Sequence, residues 1–131
     1  MHTPVVSTAA AGLLGIIFIV LSARVVMGRT ASKTLFGSGN SETDPLFVSI
    51  RSHANFAEFV PICLLILAGL EIRSGATILV KVLAAILVLA RIAHPIGMAM
   101  KTANPFRAAG FVGTILVLAV GSLAAIYSLF G

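Results

Sequence analysis

The chain is expected to be all-α, an integral membrane bundle of four helices, and three observations carry that expectation. Of its 131 residues 59% are hydrophobic and 10% charged, with a mean hydropathy of +1.11, which leaves too little polar surface to solvate a globule of this size. Residues 3–23 and 108–131 contain no Asp, Glu, Lys or Arg, and each run meets or exceeds the roughly 20 residues that a spanning helix needs. Between them lie two further apolar stretches, 45–70 and 75–98, long enough to span although each carries a few polar side chains.

The first helix is expected over about 4–27. No Lys or Arg precedes it and its first positive charges, Arg24 and Arg29, follow it, so it reads as a retained span and not as a secretory signal. Gly28 to Asp44, with Gly37, Ser38, Gly39, Asn40 and Ser41, forms the longest loop. The second helix, about 45–71, opens on Asp44-Pro45, an N-cap followed by a proline at the first position, where a missing N–H costs nothing. Pro61 removes a bond to Ala57 and is expected to bend this helix just beyond Glu58, opening room there. Breaks at Ser74-Gly75 and Thr102–Pro105 bound a third helix at about 75–100, interrupted by Lys81, Arg91 and His94, and a fourth at about 105–130. The whole of 1–131 reads as one domain without a linker or low-complexity tract.

The net charge of +5 is a topology signal. With both termini outside the cytoplasm, Arg24, Arg29, Lys33, Arg51, Arg91, Lys101 and Arg107 fall on or near the cytoplasmic side, leaving Arg73 and Lys81 on the other. Basic residues are nowhere interleaved with aromatics, so no nucleic-acid partner is expected. Cys63, the single cysteine, sits in an apolar helix, excludes an intramolecular disulfide or cysteine cluster and reads as packing. The three histidines and four acids form no His-x-x-x-His or paired-carboxylate pattern, so no metal is expected. G-x-S-x-G and phosphate-loop patterns are absent.

The chemistry is concentrated in Arg51-Ser-His53-Ala-Asn55-Phe-Ala-Glu58. Arg51, Asn55 and Glu58 stand at i, i+4 and i+7, on one helical face. Glu58 is thirteen residues beyond Pro45, about 20 Å along the helix, where a lipid-facing carboxylate costs several kcal/mol. It must face protein or a polar cavity, either as a ligand contact or as a bond between helices that fixes the bundle's register. His53 points elsewhere on the helical wheel and is assigned to the helix start or a neighbouring subunit. His94 precedes Pro95 and has two readings, one bonded to a freed carbonyl and one functional. Arg24, Arg51, Arg91 and Arg107 bring one arginine from each helix towards the same membrane face as a basic ring. Snorkelling to phospholipid phosphates is one of two readings for Arg24 and Arg107, a functional role being the other, but Arg91 lies seven residues before Met98 and about 10 Å deeper. Together, arginines for carboxylates, a glutamate for an ammonium and an asparagine for an amide suit a small zwitterionic anion.

These residues resemble MAPEG, the membrane-associated proteins of eicosanoid and glutathione metabolism, and especially its small bacterial members. The resemblance spans nearly the whole chain. It rests on Arg51-x-His53-x-Asn55-x-x-Glu58 with Pro61, supported by Arg91-x-x-His94 and by Asn104-Pro105-Phe-Arg107. It implies a homotrimer of four-helix subunits in a bacterial inner membrane, with glutathione, as thiol co-substrate, held between adjacent subunits near the cytoplasmic face. Arg51, Asn55 and Glu58 would hold the glutathione backbone, Arg91 and His94 would add contacts, and Arg107 would stabilise the thiolate as the catalytic residue. The implied activity is a glutathione-dependent transferase or peroxidase acting on hydrophobic electrophiles or lipid hydroperoxides. The alternative is a non-catalytic lipid-binding or partner-binding member of the same family. The chain departs from the pattern at Ala54, where several eicosanoid enzymes have a second arginine, at Ala108, where some have a serine, and at Met98 and Phe111, often tyrosines.

Overall fold

The computed structural model describes residues 1–39, 41–100 and 102–130. Asn40 of the long loop, Lys101 of the basic bias and Gly131 lie outside the described residues. The chain folds into four helices, α1 (Val5–Ser32), α2 (Pro45–Ser74), α3 (Ile78–Ala99) and α4 (Pro105–Tyr127), each long and apolar enough to cross a membrane.

The helix limits follow from local chemistry. Helix α1 runs past Met27 to Ser32, because Gly28 stays helical where the backbone of α2 comes close: a Cβ there would meet Leu46 at 3.2 Å. The Thr30 and Ser32 hydroxyls bond back to the Val26 and Gly28 carbonyls, and Lys33, in the left-handed region at φ 52°, ends the helix. Asp44 caps α2, accepting from the Leu46 N–H at 2.8 Å ahead of Pro45. The helix then continues unbroken through Pro61 to Ser74, where Gly75 at φ 78° turns the chain. Thr77 caps α3 by accepting from the Val80 N–H, and α3 continues through Pro95.

Helices α2 and α3 sit between α1 and α4, which do not touch among the described residues. Leu14 and Leu21 of α1, Phe56, Val60, Cys63 and Leu67 of α2, Leu83 and Leu87 of α3 and Val117 of α4 form the core. The most extensive pairing is α3 with α4, and glycines permit it. A Cβ on Gly110 would fall 2.6–2.7 Å from the His94 backbone and Cβ, one on Gly113 would fall 3.0 Å from Ala90, and one on Gly97 would overlap the Arg107 backbone. Small residues at helix contacts are how membrane bundles gain close packing without a hydrophobic difference between core and lipid. The outer faces stay apolar, with Leu13, Ile16 and Ile19 of α1, Leu89 and Ile92 of α3 and Val112 and Leu116 of α4 exposed.

Helix α1 begins after Pro4, which provides no side-chain cap, so its first N–H groups need acceptors from elsewhere. Glu71, near the far end of α2, supplies them. Its carboxylate accepts from the Val6 and Ser7 N–H groups at 2.8 Å each and from the Ser7 hydroxyl at 2.6 Å, and it is 0% exposed. The His2 N–H adds a bond to the Ile72 carbonyl at 2.8 Å. A negative charge at a helix N-terminus also meets the positive end of its dipole, so this clasp closes one end of the bundle.

Candidate functional site

The opposite end of the bundle is open. There the first three turns of α2, the last turns of α3 and the start of α4 surround a cleft of about 510 Å³. Arg51 and Asn55 contribute from α2, His94 and Met98 from α3, and Arg107, Ala108 and Phe111 from α4. Arg51 and Asn55, His94 and Met98, and Arg107 and Phe111 each stand four residues apart, which stacks each pair on one helical face. A second cleft of about 590 Å³ shares Arg51, Met98 and Arg107 with the first and adds Arg24 from α1 and Glu42 from the α1–α2 loop.

Arg107 is placed by a local device. Asn104 caps α4 through its side-chain oxygen, which accepts from the Arg107 N–H at 3.0 Å. Its amide nitrogen donates to the Gly97 carbonyl at 2.8 Å and the Thr102 carbonyl at 2.9 Å. One asparagine thus fastens the start of α4 to the end of α3, and the absence of a side chain at Gly97 lets the Arg107 backbone lie against it. The Arg107 side chain is exposed to the cleft.

The expected site residues divide into two groups. Arg51, Asn55, His94 and Arg107 meet in the first cleft. Arg91 lies behind its wall, 1% exposed, donating from Nη1 to Asn55 Oδ1 at 2.9 Å and from Nη2 to the Gly110 carbonyl at 2.9 Å. Glu58 lines neither cleft. It lies exposed on α2 with no hydrogen-bond or ion-pair partner among the described residues. Of the basic ring, Arg24, Arg51 and Arg107 border the clefts while Arg91 is buried below them.

His53 differs from its expected role at the helix start or a neighbouring subunit. It turns to α1, its Nε2 3.1 Å from the Ser22 hydroxyl and its ring stacked on Phe18 with centroids 4.6 Å apart. The α1–α2 pairing covers that side of the helix. Cys63 is wholly buried in the core.

Sequence reasoning passed over Glu71, Gly97 and Gly110. The signals were present: a carboxylate one turn from the end of an apolar helix, and glycines spaced along two adjacent spans.

Chemically, the first cleft is a donor-rich basin with two guanidinium groups and no carboxylate in its lining. Such a surface suits an anion with planar carboxylate groups, which arginine grips in two-point contacts. The apolar side chains of Met98, Ala108 and Phe111 form the rest of the wall. Among the described residues, no group of three or more His, Cys, Asp or Glu side chains gathers as a metal site. The family model described as the MAPEG family matches residues 7–127. No curated protein matches the chain, and no solved structure does.

Proposed function

The chain belongs to the MAPEG family and is an integral membrane protein, and from that premise we propose that it is a glutathione-dependent transferase or peroxidase acting on hydrophobic electrophiles or lipid hydroperoxides. The observation that carries this reading is the basic cleft itself, where Arg51 and Arg107 face a common space with no acid in its lining. In this reading Arg51 and Asn55 bind glutathione carboxylate and backbone groups, His94 lines the same wall, and the glutathione thiol lies near Arg107. The site is completed in a homotrimer. Glu58, exposed at a depth where lipid contact costs several kcal/mol, then faces a neighbouring subunit and supplies the acceptor for the ammonium that one cleft lacks. The membrane is a bacterial inner membrane, and the Arg/Lys-rich open end faces the cytoplasm with both termini outside.

Arg107 is the catalytic residue in this proposal. A free thiol with a pKa near 8.5 is only a few per cent thiolate at pH 7, and lowering it by two units requires about 2.7 kcal/mol, within the reach of one guanidinium that donates directly to the thiolate. The thiolate then attacks a substrate arriving through the bilayer. With an electrophilic carbon, an S–C bond forms and the leaving group departs with its electron pair. With a hydroperoxide, sulfur takes the terminal oxygen, the O–O bond breaks and the lipid alkoxide leaves as the alcohol after protonation. A second glutathione then converts the sulfenic acid to disulfide and water.

A non-catalytic, lipid-binding or partner-binding role is the second reading, and one observation favours it: no Ser, Thr or Tyr lines the first cleft, and the hydroxyls of Thr43 and Ser49 border only the second. Turnover of an aryl halide and of a lipid hydroperoxide by the detergent-solubilised protein separates the two. On the catalytic reading, Arg107→Ala raises the pKa of the bound thiol, lowers turnover far more than affinity, and regains part of the activity at higher pH. Thiolate absorbance titrations of wild type and variant check this. Identical curves with unchanged turnover remove Arg107 from the mechanism.

A further inference from the structure

Arg91 combines three features that ligand binding alone does not explain. It is 1% exposed, it directs both terminal nitrogens to protein acceptors, and its Nε has no partner among the described residues. A guanidinium carries donors and no acceptor. An asparagine beside it must therefore turn its oxygen inward, since the opposite orientation would set N–H against N–H. Asn55 Oδ1 lies 2.9 Å from Arg91 Nη1, and the Asn55 amide nitrogen has no hydrogen-bond acceptor among the described residues.

The other end of the contact is equally fixed. Gly110 contributes the second acceptor for Arg91, and its carbonyl also accepts from the Thr114 hydroxyl at 2.8 Å. It holds this position because its bare Cα lies against the His94 backbone. Arg91 is thus clamped between α4 and α2, and what it fixes is the rotation of one amide in the cleft wall.

We propose that Arg91 is a positioning residue that locks Asn55 with its amide N–H₂ turned into the cleft, so that Asn55 meets the ligand only as a donor and selects a carboxylate or carbonyl oxygen there. This rests on the reading that the cleft binds glutathione, and it replaces a direct contact between Arg91 and glutathione with an indirect one. It also sharpens specificity. Arg51, Asn55 and Arg107 then present donors side by side, so a ligand portion presenting N–H groups to these three is rejected through unpaired donors.

The experiment uses the full-length protein in detergent, with glutathione affinity read by equilibrium dialysis and stability by the thermal unfolding midpoint. Asn55→Asp keeps an oxygen for Arg91 but removes both donors and sets negative charge towards the cleft. Its unfolding midpoint is expected to hold or rise while glutathione affinity falls roughly tenfold or more. Arg91→Lys, too short and too differently shaped to hold both acceptors, is expected to weaken binding by releasing Asn55. Combined with Asn55→Asp it is expected to weaken binding no further, because Arg91 acts through Asn55. Additive losses in the double variant would restore a direct contact and overturn the proposal, as would Asn55→Asp retaining wild-type affinity. If Arg91→Lys fails to fold, Asn55→Leu replaces it as the stability control: a midpoint well below that of Asn55→Asp supports the pair, and equal midpoints overturn it. A wild type that binds no glutathione overturns the functional reading and the ligand selectivity with it, while the midpoints still report whether Arg91 and Asn55 are coupled.

Discussion

Glu58 and Glu71 lie on the same apolar helix, α2, and carry the same carboxylate, yet the fold treats them in opposite ways. Glu71 is 0% exposed and accepts three hydrogen bonds from the start of α1. Glu58 is exposed and has no hydrogen-bond or ion-pair partner among the described residues. Burial inside one subunit therefore marks the carboxylate whose work is structural and complete. Exposure inside a membrane span marks the one whose carboxylate hydrocarbon cannot solvate, and on the proposed homotrimer its partner comes from a neighbouring subunit. The same contrast divides the ends of the bundle: the Glu71 clasp saturates its polar groups, while the Arg51–Arg107 cleft leaves donors unspent.

The largest expected effect breaks the closed end. Glu71→Ala strands two backbone N–H groups and a hydroxyl, and is expected to cost roughly 3–5 kcal/mol of stability, measured by unfolding in detergent. A loss below about 1 kcal/mol would show that other acceptors replace the carboxylate. Next in size, Glu58→Gln is expected to weaken glutathione binding by roughly 1.5–3 kcal/mol while leaving the stability of the subunit fold within about 0.5 kcal/mol. Dialysis together with unfolding reads both numbers. Should the variant instead fail to assemble while the remaining trimers keep full thiol chemistry, Glu58 sets the register of subunits and does not bind ligand. The smallest effect comes from Ser7→Ala, which removes one hydroxyl bond from the clasp and spares both backbone bonds, for a cost of about 1.5 kcal/mol. If it matched Glu71→Ala, the hydroxyl rather than the helix terminus would be the group that the carboxylate serves.

Much of the candidate site was legible because helical spacing is a local property. Arg51 and Asn55 at i and i+4 do line one cleft, and the Asn104-Pro105 pair does start α4 with Arg107 in its first turn. Glu58, three residues beyond Asn55, was expected on their face, but it lies outside both clefts. The wheel fixes angles within α2 and says nothing about which neighbours stand at each angle. The depth of Arg91 argues against snorkelling and the resemblance implies a ligand contact for it; in the fold both its terminal nitrogens bond to Asn55 and the Gly110 carbonyl.

The sequence by itself determined that there are four spans, where their polar ends lie and which side chains share a turn, since length, hydropathy and capping act within a dozen residues of one another. Only the tertiary structure decided that Glu71 closes on Ser7, 64 residues away, that His53 turns to α1 and that Arg91 donates to Asn55. The physical reason is rotation. In a soluble bundle an apolar stripe tells each helix which way to face, but here lipid-facing and core-facing residues are equally apolar. The facing is therefore set by where glycines allow helices to touch and where buried polar groups find partners.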